Sequence, residues 1–322
     1  MQNLDRLLPA FAFGLQIWAG VACAHDLDGI FVERSSLDTE TLKIFEEIDF
    51  YRKELAALAH ADGEEGELEG VVQRAFLWPV GGTISVCFFD GVSSAHETVV
   101  EIAKQWTDGT SVKFSFGPAG SRTRCDGKTR TNIRVSFRGS GYWSYIGTSS
   151  KYVKPQKQTL NLNGMGSGKA LSSSQQGTIL HEFGHALGFE HEHQTPMANC
   201  DEEFDWNYLY NHFGWSKEEV DRNMRKLLVN QSAEGLILTE FDRESIMLYS
   251  LPVEAFKQGD AARCYISRKN NLLSSLDIES IREAYPTEAR LAPAQVPEGD
   301  SKMNNLQYTM QQLIDRGDEN PK

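Results

Sequence analysis

The stretch His181-Glu182-Phe183-Gly184-His185-Ala186-Leu187-Gly188-Phe189-Glu190-His191 places three of the chain's eight histidines at a spacing suited to one metal ion. On a helix, residues i and i+4 lie one turn apart on the same face, so His181 and His185 can aim their imidazoles at one point. Glu182, beside the first of them, can reach a water held there. Gly188 can adopt a left-handed conformation and end the helix, which lets the chain turn and bring in His191 from a third direction. Three neutral imidazoles and one water make an open site, the kind that activates water for hydrolysis rather than the closed kind that only braces a fold. A bare H-E-x-x-H recurs by accident, and surface histidines on a soluble helix are common. A glycine and a third histidine at the fixed spacing argue against both accounts. The chemistry expected is hydrolysis with one Zn2+ on His181, His185 and His191, and Glu182 as base.

A second segment, Ser245-Ile246-Met247-Leu248-Tyr249, reads alone as an apolar strand. Joined to the extended zinc pattern it matches the methionine turn that floors the zinc-binding imidazoles of metzincins. Further matches narrow the family. Leu77-Trp78 followed by Gly81-Gly82-Thr83-Ile84, Gly139-Ser140-Gly141-Tyr142-Trp143-Ser144-Tyr145-Ile146-Gly147, and Gly188-Phe189-Glu190-His191-Glu192-His193 together resemble the astacin-like family, over about Phe76 to Pro286. The resemblance implies an α+β metzincin-type zincin fold, with a mixed sheet and long active-site helix in the N-terminal half and a less regular C-terminal half. It implies a zinc metalloendopeptidase whose protein or peptide substrate lies extended along an edge strand. It also implies that Tyr249 approaches the zinc and hydrogen-bonds the transition state, and that Glu192 receives the N-terminus of the mature enzyme. Three departures mark the chain as diverged. Gln194-Thr195-Pro196-Met197 replaces the usual arginine and paired aspartates, Leu248 replaces a histidine, and Tyr142 replaces a common cysteine, so the family's disulfides cannot be carried over. A zinc-binding module without catalysis would be expected to lack the glutamate that is present as Glu182. A matrixin would be expected to carry a propeptide cysteine, yet the only cysteine before the domain is Cys23.

The elements that must position these residues are visible in the pattern. Strands are expected over 83–89, 112–116, 132–137 and 158–162, with helices over 93–106 and 175–187, in a β-α-β-β-β-α order that suggests a mixed sheet. Gly164 to Ser174 is glycine- and serine-rich and reads as a loop. After His193 strand signals thin out, with helices expected over 216–228 and 276–285.

The ends have a different character. Residues 1–24 read as a secretory signal peptide, with an apolar run from Leu7 to Ala22 and a small-residue exit, Ala22-Cys23-Ala24. Residues 25–70 read as an acidic, partly helical propeptide that covers the site, and one of its acids, such as Asp26 or Asp28, is a candidate ligand for the zinc. Residues 71–290 form the catalytic domain and 291–322 a disordered tail. The formal charge of −13 is concentrated in the expected propeptide, where 14 acids face 4 bases. The catalytic domain is nearly neutral and shows no nucleic-acid surface. The protein is expected to be secreted, latent until processed, monomeric and free of the membrane once the signal is cleaved. Without Cys23, four cysteines remain for two disulfides. Of three pairings, Cys87–Cys125 with Cys200–Cys264 is favoured because each closes within one half of the domain. Asn230-Gln231-Ser232 is a glycosylation sequon.

Overall fold

The computed structural model describes residues 72–73, 76–139, 141–212, 217–226, 236–237 and 240–287. The expected signal peptide, propeptide, C-terminal tail and Asn230 sequon lie outside the described residues. Strand β1 (Val72–Gln73) pairs antiparallel with β7 (Leu236–Ile237). The main sheet contains β2 (Thr83–Phe88), β3 (Lys113–Ser115), β4 (Ile133–Ser136), β5 (Tyr142–Ser144) and β6 (Leu160–Leu162), in the order β3-β2-β4-β6-β5. All neighbours are parallel except β5, which runs antiparallel to β6, with Trp143 opposite Asn161. Central strands of a parallel sheet are covered on both faces, which is why β4 and β6 are buried at every position. β5 ends the sheet and extends the strand count beyond the pattern. With only three residues, two of them aromatic, it carries too little alternation to announce itself.

Helix α1 (Ser93–Ala103) turns Ala95, Val99, Val100 and Ile102 into the core and continues as a short 3-10 turn, Lys104–Thr107. Helix α2 (Ser173–Ala186) carries the histidines. It starts two residues earlier than its apolar pattern suggests because Ser172 and Gln175 form a capping box, each satisfying a backbone amide at the exposed end. Beyond it lie α3 (Cys200–Glu203), α4 (Trp206–His212), α5 (Lys217–Met224) and α6 (Ser275–Ala284). Helix α4 is a second element that the sequence pattern did not announce; only Leu209 among its residues is buried. Among the described residues, no helix is long and apolar enough to cross a membrane.

Two cores result. One packs α1 and α2 on the sheet through Val86, Phe88, Trp106, Phe183 and Leu187. The other gathers Phe204, Leu209, Leu251 and Phe256 around the Cys200–Cys264 disulfide. Cys87, in β2, is bonded to Cys125 and closes a loop within the first half. The segment 245–249 joins the cores, with Met247 buried in the first and Tyr249 in the second.

Candidate metal centre

Helix α2 is held at several points before any ligand is considered. Trp106 Nε1 donates to Leu180 O at 2.7 Å and Trp78 Nε1 to Ala186 O at 2.8 Å. The Tyr285 hydroxyl donates to Leu187 O at 2.6 Å, so two carbonyls that the helix end would leave orphaned have side-chain donors. The helix then stops on Gly188, whose φ is +108°. Phe189 N–H donates back to Gly184 O at 3.1 Å and Gly188 N–H to His185 O at 2.8 Å, the paired bonds of a Schellman cap. This cap redirects the chain and brings His191 back against the helix.

The imidazoles of His181, His185 and His191 are all buried and meet in one cluster, with one potential ligand atom from each lying within 4.8 Å of the others. His181 Nδ1 lies 2.7 Å from Ile246 O and His185 Nδ1 2.7 Å from Phe189 O. A carbonyl can only accept, so both Nδ1 atoms carry the proton and both Nε2 atoms present a lone pair. Nε2 of His185 is 3.1 Å from Nε2 of His191, and Nε2 of His181 is buried without a hydrogen-bond partner among the described residues. Burial holds the His181 imidazole down to about 4 and pushes those of His185 and His191 well below the usual range, with the neighbouring imidazoles adding to the effect. Neutral lone pairs that converge in a buried site repel unless a cation lies between them. Zinc–nitrogen bonds of about 2.0–2.1 Å at tetrahedral angles place neighbouring nitrogens about 3.3 Å apart, close to this separation. The donor set therefore fits zinc. Glu182, fully buried, has no hydrogen-bond partner for either carboxylate oxygen among the described residues, and burial pushes its carboxyl well up.

The segment 245–249 supports the cluster. Asp277 accepts from Ser245 Oγ at 2.7 Å, from Ile246 N–H at 2.9 Å and from Ser274 N–H at 2.9 Å, so the carboxylate that caps α6 also fixes this turn. Met247 O accepts from Glu192 N–H at 3.0 Å, which ties the turn to the chain just beyond His191. Tyr249 lies over His191 with ring centres 4.3 Å apart. Gly184 makes the close approach possible, since a Cβ there would sit 2.5 Å from Met247 Sδ and 2.9 Å from Trp106 Cζ2. Gly184→Ala gains about 1 kcal/mol of helix propensity but loses about 1–3 kcal/mol to overpacking, because the Trp106 ring is anchored by its own hydrogen bond. A net loss of stability in urea unfolding is expected, and a gain would show that the turn moves aside freely.

Glu192, next in the chain after His191, is not among the described residues that meet in this cluster. It is buried, accepts from Asp242 N–H at 2.8 Å, and is pushed up to about 8 chiefly by burial.

The sequence pattern of the family described as Astacin (Peptidase family M12A) matches residues 71–285. The chain belongs to the astacin family. It is 32% identical over 209 residues to astacin-like metalloprotease toxin 5 of Loxosceles gaucho, a match spanning 61% of this chain and 96% of that one. A second relative, astacin-like metalloprotease toxin 1 of Loxosceles intermedia, is 32% identical over 173 residues, which is 54% of each chain. The structure of myroilysin superposes with a TM-score of 0.56 at 30% identity, covering 68% of this chain and 99% of myroilysin. Family and fold together make this astacin an α+β zinc metalloendopeptidase acting on proteins or peptides.

Two residues of this astacin went unmarked as site neighbours in the sequence. His193 is buried, with its Nε2 2.8 Å from Asn223 O and its ring stacked 5.2 Å from His191. Gln194, noted only as a departure from the family pattern, is buried with its Oε1 3.0 Å from His191 Nδ1. The available signal was position: the short 3-10 turn Glu192–Gln194 returns residue i+3 to the side chain of residue i.

Proposed function

We propose that the endopeptidase uses His181, His185 and His191 as zinc ligands and Glu182 as the proton carrier of peptide-bond hydrolysis. The observation that carries this reading is the convergence of three buried imidazoles beside a buried carboxylate that has no competing hydrogen bond among the described residues. When bound, zinc supplies Lewis-acid activation of water and of the scissile carbonyl. Glu182 takes the proton from the attacking water and delivers it to the leaving amine nitrogen as the C–N bond breaks. The Tyr249 hydroxyl donates to the oxyanion of the tetrahedral intermediate, and its ring packing against His191 favours that position. The peptide is read as lying extended along β5, which ends the sheet and faces no further strand among the described residues.

Maturation belongs to the same reading. The chain is made with a signal peptide over 1–24 and secreted, and residues 25–70 block the site until they are removed. Two disulfides favour an oxidising compartment. Glu192 then receives the new N-terminal ammonium, which brings a positive charge to a buried acid beside Asp242. The mature enzyme acts as a monomer.

The test is cleavage of casein or a quenched peptide by protein trimmed near residue 70, alongside the untrimmed chain, with a chelator and then with zinc added back. Chelator-sensitive, zinc-restored activity that rises on trimming is expected. Chelator-resistant cleavage would remove the metal mechanism, and equal rates before and after trimming would remove latency.

A further inference from the structure

We infer that Gln194 is the positioning residue that fixes the tautomer and direction of the His191 imidazole, coupling this zinc ligand to helix α5. The inference rests on the metal-site reading above. His181 and His185 are each oriented by a backbone carbonyl, which can only accept a hydrogen bond. His191 differs, because its Nδ1 faces a side-chain amide, Gln194 Oε1, at 3.0 Å. An amide can donate or accept, so it directs the imidazole only if its own orientation is fixed. That orientation is set at the other end, where Gln194 Nε2 donates to Arg225 O at 3.1 Å. Since that carbonyl accepts only, the amide nitrogen must face it and the amide oxygen must face His191. His191 Nδ1 then carries the proton, and its Nε2 lone pair turns toward the other two imidazoles.

The carbonyl that fixes the relay is itself held. Arg225 follows α5, where its guanidinium bonds Asp221 at 2.8 Å and the Tyr210 hydroxyl at 2.9 Å and stacks 4.0 Å over the Trp206 ring. Asn223 O, two residues earlier in the chain, accepts from His193. Backbone carbonyls at the end of α5 thus hold two consecutive residues, His193 and Gln194, of the turn that follows His191. Gln194 is only 2% exposed, so water does not stand in for its amide. Partners of this kind, bonded to a ligand's second nitrogen, both fix the ring and raise its basicity.

The experiment compares the wild type with Gln194→Met and Gln194→Glu. Methionine keeps the length and approximate volume but offers no comparable acceptor. Glutamate accepts from Nδ1–H in either protonation state. Zinc affinity is measured by competition with a chromophoric chelator, which needs no activity. Gln194→Met is expected to weaken zinc binding about 10–100-fold, with the apo protein folded by circular dichroism. Gln194→Glu, whose carboxylate keeps an acceptor for Nδ1–H but loses the donation to Arg225 O, is expected to bind zinc more tightly than Gln194→Met, with the His191 Nδ1–H resonance of the zinc-loaded, 15N-histidine-labelled protein moved downfield by the stronger acceptor. Equal affinity in Gln194→Met, or a loss in Gln194→Glu as large as in Gln194→Met, would overturn the inference. Should the methionine variant fail to fold, an unmoved Nδ1–H resonance in the glutamate variant would do so. If the wild type itself takes up no stoichiometric zinc, it is the metal-site reading that fails.

Discussion

Glu182→Gln lowers peptide turnover by about 10²–10⁴-fold while leaving zinc content and fold intact. The substitution keeps the shape of the side chain and removes only the ability to take a proton. Its structural cost is small because Glu182 has no hydrogen-bond partner among the described residues to lose. The sign of the stability change follows from burial, which raises the folded-state pKa of the carboxyl well above its unfolded value. A group raised in this way contributes its stability at low pH and loses it as pH rises through the folded value. A neutral amide escapes that loss, so the metal-free variant is expected to be at least as stable as the wild type at neutral pH. The measurement is kcat on a quenched peptide, with metal content by elemental analysis and apo stability by urea unfolding. A variant that retains zinc and cleaves at the wild-type rate would remove Glu182 from the mechanism.

The metal-site candidates and the edge strand of the sheet were legible in the sequence to different degrees, for a physical reason. His181 and His185 lie on a single helix, where 3.6-residue periodicity converts spacing directly into geometry, and Gly188 stands just past its end. The capped end of that helix and the approach of His191 follow from one glycine. The longer strands of the sheet announced themselves by their residue pattern, largely apolar in Thr83–Phe88 and alternating in Ile133–Ser136. Short elements did not, because β5 has three residues and α4 buries only Leu209. Asp277 illustrates a different gap. Its bonds to Ser245 and Ile246 span more than thirty residues, and no local pattern records which acid will meet which turn. Gln194 illustrates a third, since comparison with the family pattern presents it as a loss of charged residues, while the structure places it on His191. What the family usually places in this segment is therefore a poor guide to the site neighbours of this member.

His191→Ala abolishes stoichiometric zinc loading and, with it, detectable cleavage. Losing a partner bonded to a ligand weakens zinc by about 10–100-fold, and losing the ligand itself must exceed that, because two imidazoles and a water remain where three imidazoles and a water are needed. His191 is the informative choice among the three histidines. His181 and His185 lie on α2 and would be brought together by that helix alone, whereas His191 reaches the cluster only through the Gly188 turn, the Glu192–Met247 bond and the Gln194 relay. Its removal therefore tests whether the two halves of the domain cooperate in holding the ion. Thermal unfolding with and without zinc gives a readout independent of catalysis. At a thousandfold excess over Kd, binding to the native state alone stabilises it by about 4 kcal/mol, about 8–16 °C for a domain of this size. The wild type is expected to show that rise and His191→Ala to show none, with Gln194→Met between them. A full rise in His191→Ala would mean that the ion sits on His181 and His185 with some other third ligand, and the turn at Gly188 would then need a different explanation.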